Sequence, residues 1–197
     1  LPTKLETFTN TGGITYTGAG TIIRNAPWNG YRTLVGDAGG TIDLSVGGRL
    51  IVAGGQTRLA NSAKTDWTSN QGSLTVSNGA SLDLYDSGIA PTAGQTNTNV
   101  YIDALDGNGR IWRTLGGNSD ASTIVMGVGN TNGKFSGEIS DAGTGVGNIN
   151  LEKQGSGTQI LASLNGYEGT TTVSAGTLQI GAGGARGTIG SGAITNN

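Results

Sequence analysis

The phrase Leu44-Ser45-Val46-Gly47-Gly48-Arg49-Leu50-Ile51-Val52 recurs as Val76-Ser77-Asn78-Gly79-Ala80-Ser81-Leu82-Asp83-Leu84. It returns, one residue shorter after the glycine, as Val173-Ser174-Ala175-Gly176-Thr177-Leu178-Gln179-Ile180. Each copy reads as a short strand, a glycine corner and a second short strand with alternating apolar side chains. A lone unit of this kind cannot bury its apolar face, so chains that reuse it stack it.

Glycine supplies 38 of 197 residues, more than twice the roughly 7% of ordinary usage, without the every-third-residue rule of collagen. The apolar residues fall in pairs and triplets at alternate positions, bounded by Gly-Asn, Gly-Gly and Asp-Gly corners. That pattern predicts an ordered, turn-dense all-β chain rather than disorder. Candidate strands of mostly four to six residues include 20–24, 41–46, 49–53, 73–77, 81–85, 99–103, 110–114, 123–128, 134–139, 148–152, 158–162, 170–174, 177–180 and 187–189. No window carries a helical stripe.

Strands this short suit a coil of about three per turn, with like positions stacked roughly 4.8 Å apart. Eight or nine rungs would give a rod on the order of 40 Å long. Ile42, Leu44, Leu50, Val52, Leu74, Val76, Leu82, Leu84, Val173, Leu178 and Ile180 are the expected inward ladders. Residues 54–72 and 88–97 break the rhythm and read as polar loops leaving the coil, where specificity tends to sit.

A formal net charge of −2, with Lys and Arg spread singly, argues against nucleic acid or an anionic membrane surface as partner. No apolar run approaches the roughly 20 residues that a membrane-spanning helix needs. Cysteine and histidine are both absent, which removes disulfides, thiolate metal sites and the commonest general base. No cofactor or metal is expected. The chain opens Leu1-Pro2-Thr3 and closes Asn196-Asn197, so both ends look cut from something larger.

The stretch Leu151-Glu152-Lys153-Gln154-Gly155-Ser156-Gly157-Thr158, followed by Asn165-Gly166-Tyr167-Glu168-Gly169-Thr170 and Val173-Ser174-Ala175-Gly176-Thr177-Leu178, resembles the autotransporter-associated β-strand repeat. Upstream, Phe135-Ser136-Gly137-Glu138-Ile139 is similar to the segment that commonly precedes it. The specific likeness covers about residues 133–181, and Glu168 departs from the small polar residue usual there. The resemblance implies a right-handed parallel β-helix over residues 1–197, part of the secreted passenger of a bacterial autotransporter anchored through an outer-membrane barrel. It implies no catalytic residues.

The acidic residues are candidates for chemistry, since two carboxylates across a groove could cleave a glycoside. Asp43, Asp83 and Asp103 each lie between apolar neighbours and are expected to point outward, but they share no repeat position. Asp103, Asp106 and Asn108 offer oxygen ligands at short spacing, although the pattern fits neither an EF-hand nor the glycine-rich nonapeptide, and a tight turn is the simpler reading. The aromatics are the better recognition candidates. Trp28, Tyr31 and Arg32 lie together in a proline- and glycine-containing segment, Trp67 lies in the 54–72 excursion, and Trp112 is flanked by Arg110 and Arg113.

The expected function is therefore non-enzymatic: adhesion or self-association at the bacterial surface, with the coil as a rigid scaffold. Its partners would be a second copy, end to end or side by side, or a glycan or protein of a host or other surface. A carbohydrate-binding or carbohydrate-active β-helix is the alternative.

Overall fold

The computed structural model describes residues 14–25, 32–33, 40–59, 65–84, 99–113, 121–141, 148–184 and 186–197. No helix occurs among them. The chain coils with three strands to a turn, and every strand pairing is parallel. The first turn is β1 (Ile14–Gly18), β2 (Thr21–Asn25) and β3 (Arg32–Thr33). The second is β4 (Gly40–Leu44), β5 (Arg49–Gly54) and β6 (Gln56–Arg58), and the third β7 (Thr65–Asp66), β8 (Ser73–Val76) and β9 (Ser81–Asp83). The fourth is β10 (Asn99–Ile102), β11 (Leu105–Gly107) and β12 (Arg110–Arg113), and the fifth β13 (Ser122–Met126), β14 (Gly133–Phe135) and β15 (Glu138–Asp141). Then come β16 (Ile149–Lys153) and β17 (Thr158–Leu161), β18 (Thr171–Val173) and β19 (Thr177–Ile180), and finally β20 (Ile194–Asn196).

The protein is thus a parallel β-solenoid. Its second face is one seven-stranded sheet, β2-β5-β8-β11-β14-β17-β19, and its third is the five-stranded sheet β3-β6-β9-β12-β15. The first face is shared by β1-β4-β7 and by β10-β13-β16-β18-β20. Among the described residues five turns place a strand on all three faces, while the second face carries seven strands and the first eight; the eight or nine rungs expected are thus reached on the first face alone.

Aliphatic ladders fill the interior. Ile22 stacks on Leu50, Leu50 on Leu74 and Leu74 on Leu105, while Val52 stacks on Val76. Thr57, Leu82, Ile111 and Ile139 form the matching column of the third face. Each leucine or isoleucine hidden this way contributes about 1.5–3 kcal/mol relative to exposure. Ile42, Leu44, Leu50, Val52, Leu74, Val76, Leu82 and Leu84 are all buried, as expected. Val173 and Leu178 are only partly covered and Ile180 is exposed, because they belong to the last turns.

The repeated phrase proves to be a corner rather than a rung. Gly48 N–H donates to the Ser45 carbonyl and Ala80 N–H to the Ser77 carbonyl, at 2.8 and 2.9 Å. The glycines between them, Gly47 and Gly79, have φ of +84° and +75°, and Gly176 has +68°, the positive value that a type II turn demands at its third position. The first copy joins β4 to β5, the second β8 to β9 and the third β18 to β19. The first and third copies lie at the edge between the first and second faces and the second copy at the edge between the second and third, so Leu50 does not stack on Leu82. Like turns lie above one another only where the strand register puts them.

Several sequence expectations shift here. The described parts of the polar excursion 54–72 contribute two strands: Gln56–Arg58 pairs with Ser81–Asp83, and Thr65–Asp66 pairs with Gly40–Thr41. The strand expected over 134–139 is two strands, parted at Gly137, and residues 187–189 form none. Leu105–Gly107, expected as a turn, is a strand of the seven-stranded sheet. The excursion 88–97 lies outside the described residues.

Candidate functional site

On the outside of the third face, two columns of side chains flank the buried Thr57–Leu82–Ile111–Ile139 column. One is Gln56, Ser81, Arg110 and Glu138; the other is Arg58, Asp83, Trp112 and Ser140. Strand alternation puts both outward. The corner leading into this face is built from small residues, so the first column overlooks a groove of about 480 Å³. Ala80, Gly109 and Gly137 are buried at this corner and Asn108 and Ser136 are exposed beside it, all five lining the groove. Gln56 and Ser163 also line it, so it runs lengthwise across successive turns.

Glycine is required at two of these corner positions by close approach rather than by φ. A β-carbon on Gly109 would lie 2.4 Å from the Ser77 carbonyl oxygen, and one on Gly137 would lie 1.8 Å from that of Gly109. Packing the turns this tightly leaves no room for a side chain at the corner, and the groove is what remains outside.

Arg110 and Trp112 organise the groove chemically. The Arg110 guanidinium lies 4.6 Å from the Trp112 ring centroid, a cation–π contact. Its Nε and Nη2 donate to Ser140 Oγ at 3.3 and 3.1 Å. Glu138 stands 3.7 Å from Arg110 Nε with both side chains about half exposed, so this ion pair is screened by water and adds little stability. One turn below, Asp83 is fully buried and receives Arg58 Nε at 3.0 Å. The surface is therefore a polar one, with one arginine held flat by an aromatic ring.

The sequence candidates fare unequally. Trp112 lines the groove, half-buried, with Arg110 over its ring. Trp67 is 2% exposed and packs in the core, so it offers no recognition surface; the segment following it is a corner, not a loop. Arg32 is described only as a strand residue paired with Thr57. Trp28 and Tyr31 lie outside the described residues. Of the described aromatics, Trp67 is in the core and Trp112 is at the groove, so these two do not share a patch.

The acidic residues are also placed. Asp83 alternates with Leu82 and Leu84 as expected, yet pointing away from the interior does not expose it. Asp103 is buried, and its Oδ1 accepts the N–H of Gly129 and Thr131 at 2.9 and 3.0 Å. Asp106 Oδ1 accepts the Lys134 N–H at 3.0 Å. All three carboxylates serve the scaffold. Among the described residues no cluster of carboxylates could hold a metal ion.

Sequence reasoning missed a set of polar staples. Asn70 Oδ1 accepts from Leu44 N–H, and its Nδ2 donates to Gly72 O and Tyr101 O, tying three turns together. Asn165 does the same between Ile139 and Thr188. Asn130, Asn132 and Asn150 each cap a backbone N–H of the next turn, on Ser156, Thr158 and Thr170. The signal that could have found Asn70, Asn130, Asn132 and Asn165 is an asparagine standing at a corner, whereas Asn150 lies within β16 and carries no such signal.

A parallel β-solenoid with glycine corners and asparagine staples is the class these features define. Residues 151–180, which form β16 to β19, match the family described as passenger-associated-transport-repeat. Over 76 residues, 38% of this chain, the sequence is 40% identical to the adhesin BmaC autotransporter of Brucella suis biovar 1 (strain 1330). The chain spans about 2% of that relative's length. No solved structure matches it significantly. Both findings support the resemblance to autotransporter passengers with repeats that the sequence carries.

Proposed function

We propose that this chain is one segment of a longer secreted passenger of a bacterial autotransporter, and that it works at the cell surface as a non-enzymatic adhesive rod. The observation that carries the reading is the 40% identity to an adhesin autotransporter, together with the transport-associated repeat at 151–180. The groove supports the non-enzymatic part: among the described residues that line it, Glu138 is the one carboxylate and is paired with Arg110, whereas glycoside hydrolysis ordinarily needs two. Contact is assigned to the groove face, whose arginine is already oriented and so loses little freedom on binding. Partners of this face are a protein or glycan of another surface, or a second copy of the rod.

The test is attachment of beads coated with the folded segment to host cells and to each other. Replacing Arg110 and Trp112 together by alanine should abolish most of it. Gln71→Ala, an exposed change elsewhere on the coil, should leave it intact. Wild-type beads that neither attach nor clump would overturn the adhesive reading.

A carbohydrate partner is favoured by one feature: the groove runs along the rod and offers a polar side chain at each turn, in the order Gln56, Ser81, Arg110, Glu138. A linear glycan laid lengthwise would meet them in succession. Screening the segment against immobilised acidic and neutral glycans decides between this and a protein partner.

A further inference from the structure

The described residues contain four Asn-Gly pairs, Asn78-Gly79, Asn108-Gly109, Asn132-Gly133 and Asn165-Gly166. Such pairs can cyclise, because glycine puts no β-carbon in the way of its own nitrogen. The fold treats the four differently. Asn165 is buried, its amide makes three hydrogen bonds with Ile139, Ser163 and Thr188, and the Gly166 N–H is bound to the Ile139 carbonyl at 2.9 Å. Asn132 Oδ1 is held by the Thr158 N–H at 2.7 Å, and Gly133 is buried in a strand. Gly109 is buried and its N–H donates to the Val76 carbonyl at 2.9 Å.

Asn78-Gly79 has none of these restraints. Both residues are exposed at the centre of the β8–β9 corner. The turn's closing hydrogen bond runs from Ala80 N–H to Ser77 O, and among the described residues neither the Asn78 amide nor the Gly79 N–H has a partner. The other two copies of this corner carry Val46 and Ala175 where this one has Asn78, so the reactive side chain is peculiar to this copy.

We propose that Asn78 is a site of spontaneous modification, deamidating to aspartate and isoaspartate. The Gly79 nitrogen, giving its proton to solvent base, attacks Asn78 Cγ. A C–N bond forms, the Cγ–Nδ2 bond breaks, and Nδ2 leaves as ammonia after taking a proton from water. Water then opens the resulting five-membered imide at either carbonyl, yielding aspartate or, with the backbone rerouted through the side chain, isoaspartate. Gly79 lines the groove, so the product adds a negative charge at its rim and, as isoaspartate, lengthens the corner by one backbone carbon.

The experiment is incubation of the folded segment at mildly alkaline pH, followed by peptide mass mapping and enzymatic methylation of isoaspartate. A parallel sample is held in denaturant. In the folded protein Asn78 should convert about tenfold or more faster than Asn165, whose hydrogen bonds must first break, and ahead of Asn108 and Asn132. In denaturant the four should react at similar rates. Asn78→Ala, which copies the residue at the corner of Ala175, should fold normally and lose the early isoaspartate signal. Conversion of Asn165, Asn132 or Asn108 as early as Asn78 in the folded sample would overturn the proposal, as would the same ranking in denaturant.

Discussion

Gln159 hydrogen-bonds both backbone groups of Leu105 from two turns away: its Nε2 donates to the Leu105 carbonyl at 2.8 Å, and its Oε1 accepts the Leu105 N–H at 3.0 Å. Gly133 lies between them in the ladder, and a β-carbon there would stand 2.4 Å from Gln159 Oε1. The missing side chain at 133 is the gap through which the amide passes. Replacing Gln159 by leucine would leave two buried backbone groups unpaired, at about 1–3 kcal/mol each. Urea unfolding should show a loss of about 2–6 kcal/mol, with the slope unchanged. Gly133→Ala should lose part of the same amount, by displacing the amide.

Lys153 continues an apolar ladder, stacking on Met126 and under Val173. Its ammonium reaches the carbonyls of Gln154, Gly155 and Ala175. Burial pushes its pKa below the ordinary 10.5, opposed by the Asp103 carboxylate. Between the folded value and 10.5 the unfolded chain binds more protons, so stability should rise as pH climbs through that window and then level off. Lys153→Met should abolish the rise. Thermal unfolding followed from neutral pH to pH 10.5 reads it directly.

Tyr167 titrates in the opposite sense. It is fully buried, and burial raises its pKa above the ordinary 10.0 despite the hydrogen bonds with Thr171 and Gly190. Above pH 10 the unfolded chain loses its phenolic proton first, so stability should fall with further alkalinity. Tyr167→Phe should flatten that fall, at a cost near neutrality of about 1 kcal/mol for the 2.7 Å bond to Thr171 Oγ1. A wild-type curve that does not drop beyond pH 10 relative to the phenylalanine variant would contradict this.

The Arg58–Asp83 pair is lopsided, with the arginine 21% exposed and the carboxylate wholly buried. Arg58→Ala removes the guanidinium from a buried charge and should cost about 3 kcal/mol. Asp83→Asn leaves Arg58 able to turn toward water and should cost about 1 kcal/mol. Equal losses in chemical denaturation would mean that the pair behaves as an ordinary surface bridge.

Two glycines separate conformational need from mere composition. Gly107 has φ of +99°, and a β-carbon would sit 2.1 Å from the Val76 carbonyl oxygen; Gly107→Ala should destabilise by about 2 kcal/mol or more. Gly20 has open space around it, so Gly20→Ala should be neutral or stabilise by up to about 1 kcal/mol through the unfolded chain. Paired melting curves give the comparison.

The alternation of Leu50-Ile51-Val52 and Leu82-Asp83-Leu84 made the strands and the coil legible, because period-two burial is local. What it could not give was the fate of side chains that point outward. Asp83 faces away from the interior and is nevertheless buried against Arg58, a contact set by the neighbouring turn. Trp67 was lost for a related reason: Thr65–Asp66 is too short to show a period, so the segment read as loop although its tryptophan closes the core. Likeness of phrase does not predict stacking, since it marks a common bend, whereas Leu50 meets Leu74 through hydrogen-bond register. The groove has no sequence signature beyond small residues at 80, 109 and 137, which converge only after coiling.

The Ser-x-Gly bend serves at two different edges of the molecule, from the first face to the second and from the second to the third. Each copy also rests on the storey beneath, where the N–H of its serine meets a carbonyl: Ser45 that of Gly18, Ser77 that of Val52 and Ser174 that of Lys153. Such a shaft can therefore be lengthened by adding a storey that carries its own elbow, because the carbonyls left open at the top are the seat the next one needs.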